Sequence, residues 1–393
     1  ILSIGVRPDT AIAKQAGLDL APNGAIKVDR FFRTSDPSIR AVGDAIEFPS
    51  PLTGSGMTIP LAGPANKQAR ICAENIVRGD AKAYGGAIGT SVAKVFDLTV
   101  ASTGLSSKAL ERAGLPYAEA VTHAGSHAGY YPGSFPIALK ILYHPETGKL
   151  WGAQGVGWDG VDKRIDVIAA FIGKEGTVAD LAEFEQAYAP PFSSAKDPVN
   201  MVGFIAENVL AGETRTITWK EVGAWRDRGA FFLDVRTRDE YSLGAIPSSV
   251  NVPNTELRNR LSEIPRDRPV VVNCAIGLRG YLAERILRQN GWTDVANLTG
   301  GYKTWLAATS ELALLEGTAG APNDKKGAFA ETVSRPVGEA TEDGRPREGA
   351  GKTLEIDACG LQCPGPIMRL KKDVDALSAG DRLRLTATDP GFA

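Results

Sequence analysis

The chain has 393 residues, 43% hydrophobic and 23% charged, an ordinary globular composition with length enough for roughly two or three domains. Lys and Arg number 44 against 46 Asp and Glu, a formal net charge of −2, so there is no basic footprint and nucleic acid is not an expected partner. No apolar run approaches ~20 residues, so no membrane span is expected; the few cysteines make no disulfide framework, which points to a reducing cytoplasm.

Ile1-Leu2-Ser3-Ile4-Gly5 reads as a strand already under way, with no Met and no signal sequence, and Pro390-Gly391-Phe392-Ala393 stops without a terminating element. The expectation is a piece of a longer protein, cut at both ends. A helix-like stretch from Thr10 to Gly17 and the run Ile26-Lys27-Val28-Asp29 follow. The pattern then predicts a strand over Ile39 to Val42 that delivers Asp44 to its carboxyl end, where open α/β sheets bind ligands; Gly43 before it lets backbone approach closely. Pro60 to Arg70 predicts a helix with Pro64 in its first turn and Cys72 packed inside it. In this order the elements resemble the carboxyl part of the flavin domain in two-dinucleotide-fold disulfide reductases. Gly5-Val6-Arg7-Pro8 would close the NAD(P)H domain and Thr34 to Asp44 would be the second flavin motif. The resemblance implies FAD, with Gly43 and Asp44 at its ribityl chain, and the helix start at Leu61 and Ala62 aimed at the ring.

Residues 87–210 read as a second unit. Apolar strands Ile137 to Tyr143 and Lys149 to Gly155 flank His144-Pro145-Glu146-Thr147-Gly148, a hairpin signal. Gly155-Val156-Gly157-Trp158-Asp159-Gly160 is a literal GxGxxG before the helix Val161 to Ile172, but its strand is the second arm of a hairpin. A further helix, Val178 to Ala187, follows where a βαβ unit needs a parallel strand, so no dinucleotide site is expected. His123 and His127 have an i, i+4 spacing, yet glycines between and around them argue against a helix, and no carboxylate or cysteine accompanies them; no metal site is expected. The stretches His127 to Gly133, Gly160 to Ile168, Ala187 to Pro191 and Ser194 to Asn200 resemble the dimerisation domain of the coenzyme A-disulfide reductase, NADH oxidase and persulfide reductase group. That resemblance implies a homodimer through residues 87–210, with Tyr130 and Tyr188 reaching across to the partner's active-site cysteine and Tyr131 a near competitor. The group's flavin-adjacent cysteine and both GxGxxG loops belong to its amino-terminal half, so NAD(P)H reduction is not expected of these residues alone.

In the third unit, residues 216–310, Val270-Val271-Val272-Asn273 predicts a buried strand, and Leu282, Ala283, Ile286 and Leu287 predict a helix with one inward face. Cys274 therefore sits between strand and helix, where backbone N–H groups, the helix N-terminus and Arg279 favour a thiolate or a bound anion. Phosphatases with a similar cradle place five residues between Cys and Arg; here only Ala275, Ile276, Gly277 and Leu278 intervene, a tighter ring suited to one extra sulfur. With Phe232-Leu233-Asp234-Val235-Arg236, Glu240-Tyr241, Ile246-Pro247 and Leu298-Thr299-Gly300-Gly301-Tyr302, this resembles the rhodanese sulfurtransferase family over Thr216 to Thr309. It departs at Ala245 and Ser248, where the family often has His and Gly. The resemblance implies a persulfide on Cys274.

Residues 311–350, rich in Gly, Ala, Pro, Glu, Lys and Arg, read as a flexible linker. Thr353 to Ile356 predicts a strand leading to Cys359-Gly360-Leu361-Gln362-Cys363-Pro364-Gly365-Pro366. Pro364 and Pro366 read as helix-opening residues that place Cys363 at an N-terminus. The stretch, 353–393, is similar to the TusA-like sulfur carriers, truncated, which implies a persulfide on Cys363; Cys359 is an addition.

The sequence thus predicts a multidomain α/β and α+β chain: a partial two-dinucleotide-fold flavoprotein over residues 1–80, an α+β dimerisation domain, a rhodanese-like α/β domain and a truncated TusA-like α+β domain. The implied function is FAD- and NAD(P)H-dependent reduction of persulfide, polysulfide or coenzyme A disulfide, joined to sulfur transfer from donors such as thiosulfate and to sulfur-acceptor proteins. The alternatives are an NADH oxidase with appended sulfurtransferase domains and a non-catalytic rhodanese-like scaffold.

Overall fold

The computed structural model describes residues 7–315, 353–357 and 382–386. It forms two compact units. One holds the chain up to Glu119 with Ile137–Phe184 and Val202–Phe204; the other holds Ala120–Pro136, Glu185–Met201 and the chain from Ile205 onward.

The first unit begins with α1 (Ala11–Gln15) and a small sheet in which β1 (Ile26–Lys27) runs parallel, and β3 (Gly56–Met57) antiparallel, to the central β2 (Ile46–Pro49). Helix α2 (Ala62–Arg78) has Pro64 in its first turn, as expected, and packs Cys72 against Phe32, Ile46, Phe48 and Ile59. Cys72 is a core residue, and burial pushes its thiol pKa up. The strand expected over Ile39 to Val42 does not form. The Thr34 N–H donates to the Ile39 carbonyl, Ala41 N–H to Phe32, and a single bridge joins Arg33 to Arg40. Thr34 and Asp36 also bond locally through their side chains, to Asp36 and Ile39 carbonyls and to Ser38, and such bonds compete with a ladder. Asp44 therefore lies in the turn that precedes β2 rather than at a strand's carboxyl end.

The chain continues through β4 (Ser91–Val95), β5 (Leu98–Gly104), α3 (Ser107–Ala113), β6 (Ala118–Gly125), β7 (Pro136–Tyr143), β8 (Leu150–Gly157), α4 (Val161–Ile172) and α5 (Val178–Glu183). Within the first unit β4, β5, β8 and β7 pair antiparallel in that order, so the expected hairpin forms. The GxGxxG run begins within the antiparallel strand β8, as its context implied. Its glycines serve packing instead: a Cβ at Gly155 would sit 2.8 Å from Val161 of α4, and Gly160 caps α4 at φ +66°. Helix α5 is shorter than expected, because Phe184 leaves the helical region (ψ 120°) and meets Phe171 edge-on.

The second unit contains α6 (Pro198–Leu210) apart from Val202–Phe204, then β9 (Thr216–Ile217), α7 (Val222–Asp227), β10 (Phe231–Asp234), α8 (Arg238–Ser242), β11 (Val250–Asn251), β12 (Val270–Asn273), α9 (Leu278–Gln289), β13 (Val295–Leu298) and α10 (Gly301–Leu315). Its sheet is wholly parallel in the order β11-β10-β12-β13-β9. Val270 and Val272 join Leu233 and Val235 against Ala283, Ile286 and Leu287 of α9, while Val271 joins Phe232, Ala296 and Leu298 against Trp225 and Trp305. Covered on both faces, β12 reads as a continuous apolar run rather than an alternating one. Helix α10 continues to Leu315, so Glu311-Leu312-Ala313-Leu314-Leu315, expected to belong to the linker, are helical; this run of good helix formers extends the preceding helix. The rest of the expected linker lies outside the described residues, as do the expected strand at Ile1–Gly5, Cys359 and Cys363. The strand expected at Thr353 forms as β14 (Thr353–Asp357), paired in parallel with β15 (Arg382–Thr386). Among the described residues no helix is long and apolar enough to cross a membrane.

Candidate active site

Cys274 follows the last residue of β12 and precedes α9 by three residues, with its side chain 1% exposed. The Gly277 N–H donates to Cys274 Sγ at 3.1 Å, and Gly277 has φ +115°, a conformation that favours glycine. Two flanking elements hold the loop from outside. Tyr302 and Lys303 N–H groups at the start of α10 donate to the Cys274 and Ala275 carbonyls at 2.8 and 3.0 Å. A Cβ on Gly301 would lie 2.5 Å from the Cys274 carbonyl oxygen, so this approach requires glycine, which is the physical content of the Thr299-Gly300-Gly301-Tyr302 run. Asn297 of β13 donates through Nδ2 to the Gly277 carbonyl at 3.1 Å. Carbonyls tied outward in this way help to fix a loop whose N–H groups, with the N-terminus of α9, favour an anion at Sγ. Ala275 and Ile276 are partly buried, and Leu278 is 53% exposed at the rim.

Arg279 occupies the first turn of α9 beside Cys274, whose sulfur is among the groups that raise its pKa. The larger cause is Glu240. Arg279 Nη1 and Nη2 donate to Glu240 Oε2 and Oε1, both at 2.7 Å, a two-pronged ion pair. The sequence presented Arg279 as an added full positive charge on the cradle; in the structure that charge is already paired. Burial alone would raise the Glu240 carboxyl, but Arg279 and then Thr237 outweigh it and hold its pKa at about 2. Glu240 is itself fixed by α8: Thr237 N–H donates to its Oε2, its own N–H donates to Thr237 Oγ1, and together these form a capping box. Its carbonyl accepts from Arg236, whose guanidinium is held by fully buried Asp234 at 2.7 Å and lies over the Tyr302 ring at 4.1 Å. The Asp234–Arg236 pair and Asn297 are supports that the sequence reading missed. The Thr-x-x-Glu spacing locates a cap, but nothing in it says that the cap's glutamate faces a residue 39 positions on.

Of the residues expected near a flavin, Asp44 lines a cleft in the first unit. A cavity of about 670 Å³ is lined by Arg7, Pro8, Asp9, Pro22, Asn23, Asp44, Ala45, Thr58 and Pro60. Gly43, at φ +88°, donates its N–H to Gln68 Oε1 of α2 at 2.7 Å, which fixes the turn bearing Asp44. Leu61 is the N-cap of α2 and Ala62 its first residue; Leu61 supplies no side-chain cap to the first-turn N–H groups. In the second unit the hydroxyls of Tyr130 and Tyr188 lie 3.4 Å apart on exposed side chains, and the bond to Tyr130 raises the Tyr188 pKa. Tyr131 instead meets the ring of His127 edge-on. His123 lies in β6 and bonds Thr304 Oγ1 through Nε2 at 2.7 Å, and His127 Nδ1 is 3.2 Å from the Ala128 carbonyl. The two histidines therefore serve different contacts. Among the described residues no group of three or more His, Cys, Asp or Glu is placed to hold a metal ion.

Comparison with known proteins matches four segments of the chain. Residues 1–69 match the pyridine nucleotide-disulphide oxidoreductase family, 90–198 its dimerisation domain, 218–308 the rhodanese-like domain and 354–393 the sulfurtransferase TusA family. A crystal structure of reduced CoADR-RHD from Bacillus anthracis is 48% identical, covers 79% of this chain and 56% of its own length is matched, with a TM-score of 0.76. An NAD-dependent persulfide reductase from A. fulgidus is 40% identical, over 77% of this chain and 54% of that one, with a TM-score of 0.69. The coenzyme A disulfide reductase of Staphylococcus epidermidis is 36% identical over 207 residues, 53% of this chain and 47% of the relative. The chain thus spans about half the length of the curated relatives it matches. It carries pyridine nucleotide-disulfide oxidoreductase, dimerisation, rhodanese and TusA segments, and its fold is the mixed α/β architecture of those families.

Proposed function

We propose that the chain is part of a homodimeric, cytoplasmic flavoprotein that reduces persulfide, polysulfide or coenzyme A disulfide, and that its rhodanese domain moves sulfane sulfur through Cys274. The observation that carries the reading is the Cys274 loop. It joins a sulfur that accepts a backbone N–H at the head of a helix to an arginine separated from it by four residues, a spacing suited to one further sulfur. Thiolate attack on a donor's outer sulfur forms the Cys274 S–S bond as the donor's own S–S bond breaks, and the bond pair leaves with the donor's remaining anion. The persulfide anion so formed is stabilised by the α9 N-terminus and by the guanidinium of Arg279.

The flavin reading is supported by the cleft at Asp44. Its mixture of Arg7, Asn23 and Asp44 with prolines suits part of a large dinucleotide, and Gly43, Leu61 and Ala62 adjoin its lining residues Asp44 and Pro60 in the sequence. FAD, when bound, supplies electron transfer from NAD(P)H to a sulfur–sulfur bond. The exposed Tyr130–Tyr188 pair supports a role for both hydroxyls at a partner subunit's sulfur. A persulfide on Cys363 would continue the transfer toward acceptor proteins.

Replacement of Cys274 by Ser tests the sulfurtransferase reading. Transfer from thiosulfate or a small persulfide to an acceptor thiol should be abolished, and a variant that keeps most of the wild-type rate overturns the assignment.

A further inference from the structure

We propose that Glu240 sets the donor preference of the Cys274 loop: by neutralising Arg279 it makes the cradle select singly charged alkyl persulfides over dianionic donors such as thiosulfate. The inference rests on the sulfurtransferase reading above and specifies its substrate class. Arg279 alone would give the loop a net positive mouth suited to a dianion. The two 2.7 Å bonds to Glu240 cancel that charge beside the Cys274 loop. Glu240 is not a loose surface carboxylate free to swing away. Its side chain is 15% exposed and serves the Thr237 cap, and its backbone is pinned by Arg236, which the buried Asp234 holds in turn. Arg236 is likewise neutralised by Asp234, so both guanidinium groups near the loop are paired, and Lys303 on α10 is solvent-exposed and screened.

The charge balance separates the two donors. For an alkyl persulfide, Cys274–S⁻ and R–S–S⁻ become Cys274–S–S⁻ and R–S⁻, so the transition state carries two negative charges. For thiosulfate, Cys274–S⁻ and S–SO₃²⁻ become Cys274–S–S⁻ and SO₃²⁻, and it carries three. In each case one S–S bond forms, one breaks, and no oxidant or reductant is consumed. The extra charge meets a guanidinium already paired with Glu240, so it gains no net attraction to offset the greater desolvation of a dianion. The apolar end of an alkyl donor has a matching surface, since Leu278 and Leu282, one turn apart on α9, are 53% and 45% exposed directly beyond the loop.

Glu240→Gln keeps a capping-box side chain while removing the charge. The measurement is the single-turnover rate of sulfur loading onto Cys274, read by peptide mass, from thiosulfate and from 2-hydroxyethyl persulfide. The full chain should prefer the persulfide, and Glu240→Gln should raise the thiosulfate-to-persulfide ratio about 10-fold, the effect of one screened unit charge at this range. Glu240→Asp, which retains the charge, should stay near the wild-type ratio. An unchanged ratio in Glu240→Gln overturns the inference while leaving the sulfurtransferase reading intact, whereas failure of the wild type to load from either donor overturns both. If Glu240→Gln does not fold, salt decides with the wild type alone: a neutralised mouth predicts that the thiosulfate rate does not fall as ionic strength rises, and a steep fall contradicts it.

Discussion

Cys274 and Arg279 meet where the end of β12 and the first turn of α9 are joined by a short loop, and this part of the site was legible from spacing. Glu240 was not, because its partnership with Arg279 spans 39 residues and depends on how α8 is set beside α9. Arg279→Ala removes the side chain that stabilises the persulfide anion forming on Cys274, a charge-assisted hydrogen bond worth ~1.5–3 kcal/mol, so sulfur loading should slow roughly 10- to 150-fold. Rapid-quench measurement of Cys274 loading checks this. An unchanged rate would assign the whole of the anion stabilisation to the N–H groups around Gly277 and the helix end. Ser248 is a second residue-level feature: it adopts φ +66°, which explains physically why glycine suits that position in the resembling family.

Among the elements, β12 and α9 were the most legible, since three consecutive valines and an apolar stripe mark a buried strand and a one-faced helix. The strand expected before Asp44 failed because Thr34 and Asp36 satisfy that backbone locally, a competition that periodicity does not register. Strand β6 shows a contact equally invisible in sequence. His123 bonds Thr304, and the Val121 N–H donates to Thr299 Oγ1 at 3.0 Å, on the same turn that pins the Cys274 loop. Burial, and then the charge of Lys303, lowers the His123 pKa to about 4. With the folded value below the ordinary value near 6.5, the unfolded chain binds the proton first, so the stabilisation is complete above about pH 6.5 and is lost as pH falls toward 4. The loss from this group is about 2–3 kcal/mol. Thermal unfolding from pH 7 to pH 4 should therefore show a smaller acid-induced fall in His123→Gln, which can bond Thr304 without titrating, than in wild type. Equal falls would mean that His123 does not contribute.

At the scale of the molecule, the chain joins a flavoprotein segment, a dimerisation domain, a rhodanese-like domain and a TusA segment, and their order was readable because each carries its own dense motif. Their joints were less readable. Helix α10 runs past the expected linker boundary, and Ala120–Pro136 belong to the same compact unit as the rhodanese sheet, although they fall within the dimerisation match. Sulfane sulfur is proposed to pass between Cys274 and Cys363. Both cysteines were placed by sequence at helix starts, where attacking thiolate and departing persulfide are each favoured as anions, so exchange between them should be close to thermoneutral. The most direct measurement is peptide mass spectrometry of the full chain after brief exposure to a sulfane-sulfur donor, scoring one added sulfur at each cysteine. The prediction is that both the Cys274 and Cys363 peptides gain it in wild type, and that Cys274→Ser leaves Cys363 largely unloaded at short times. A Cys274 peptide that never gains sulfur, or a Cys363 peptide that loads equally fast without Cys274, would contradict it.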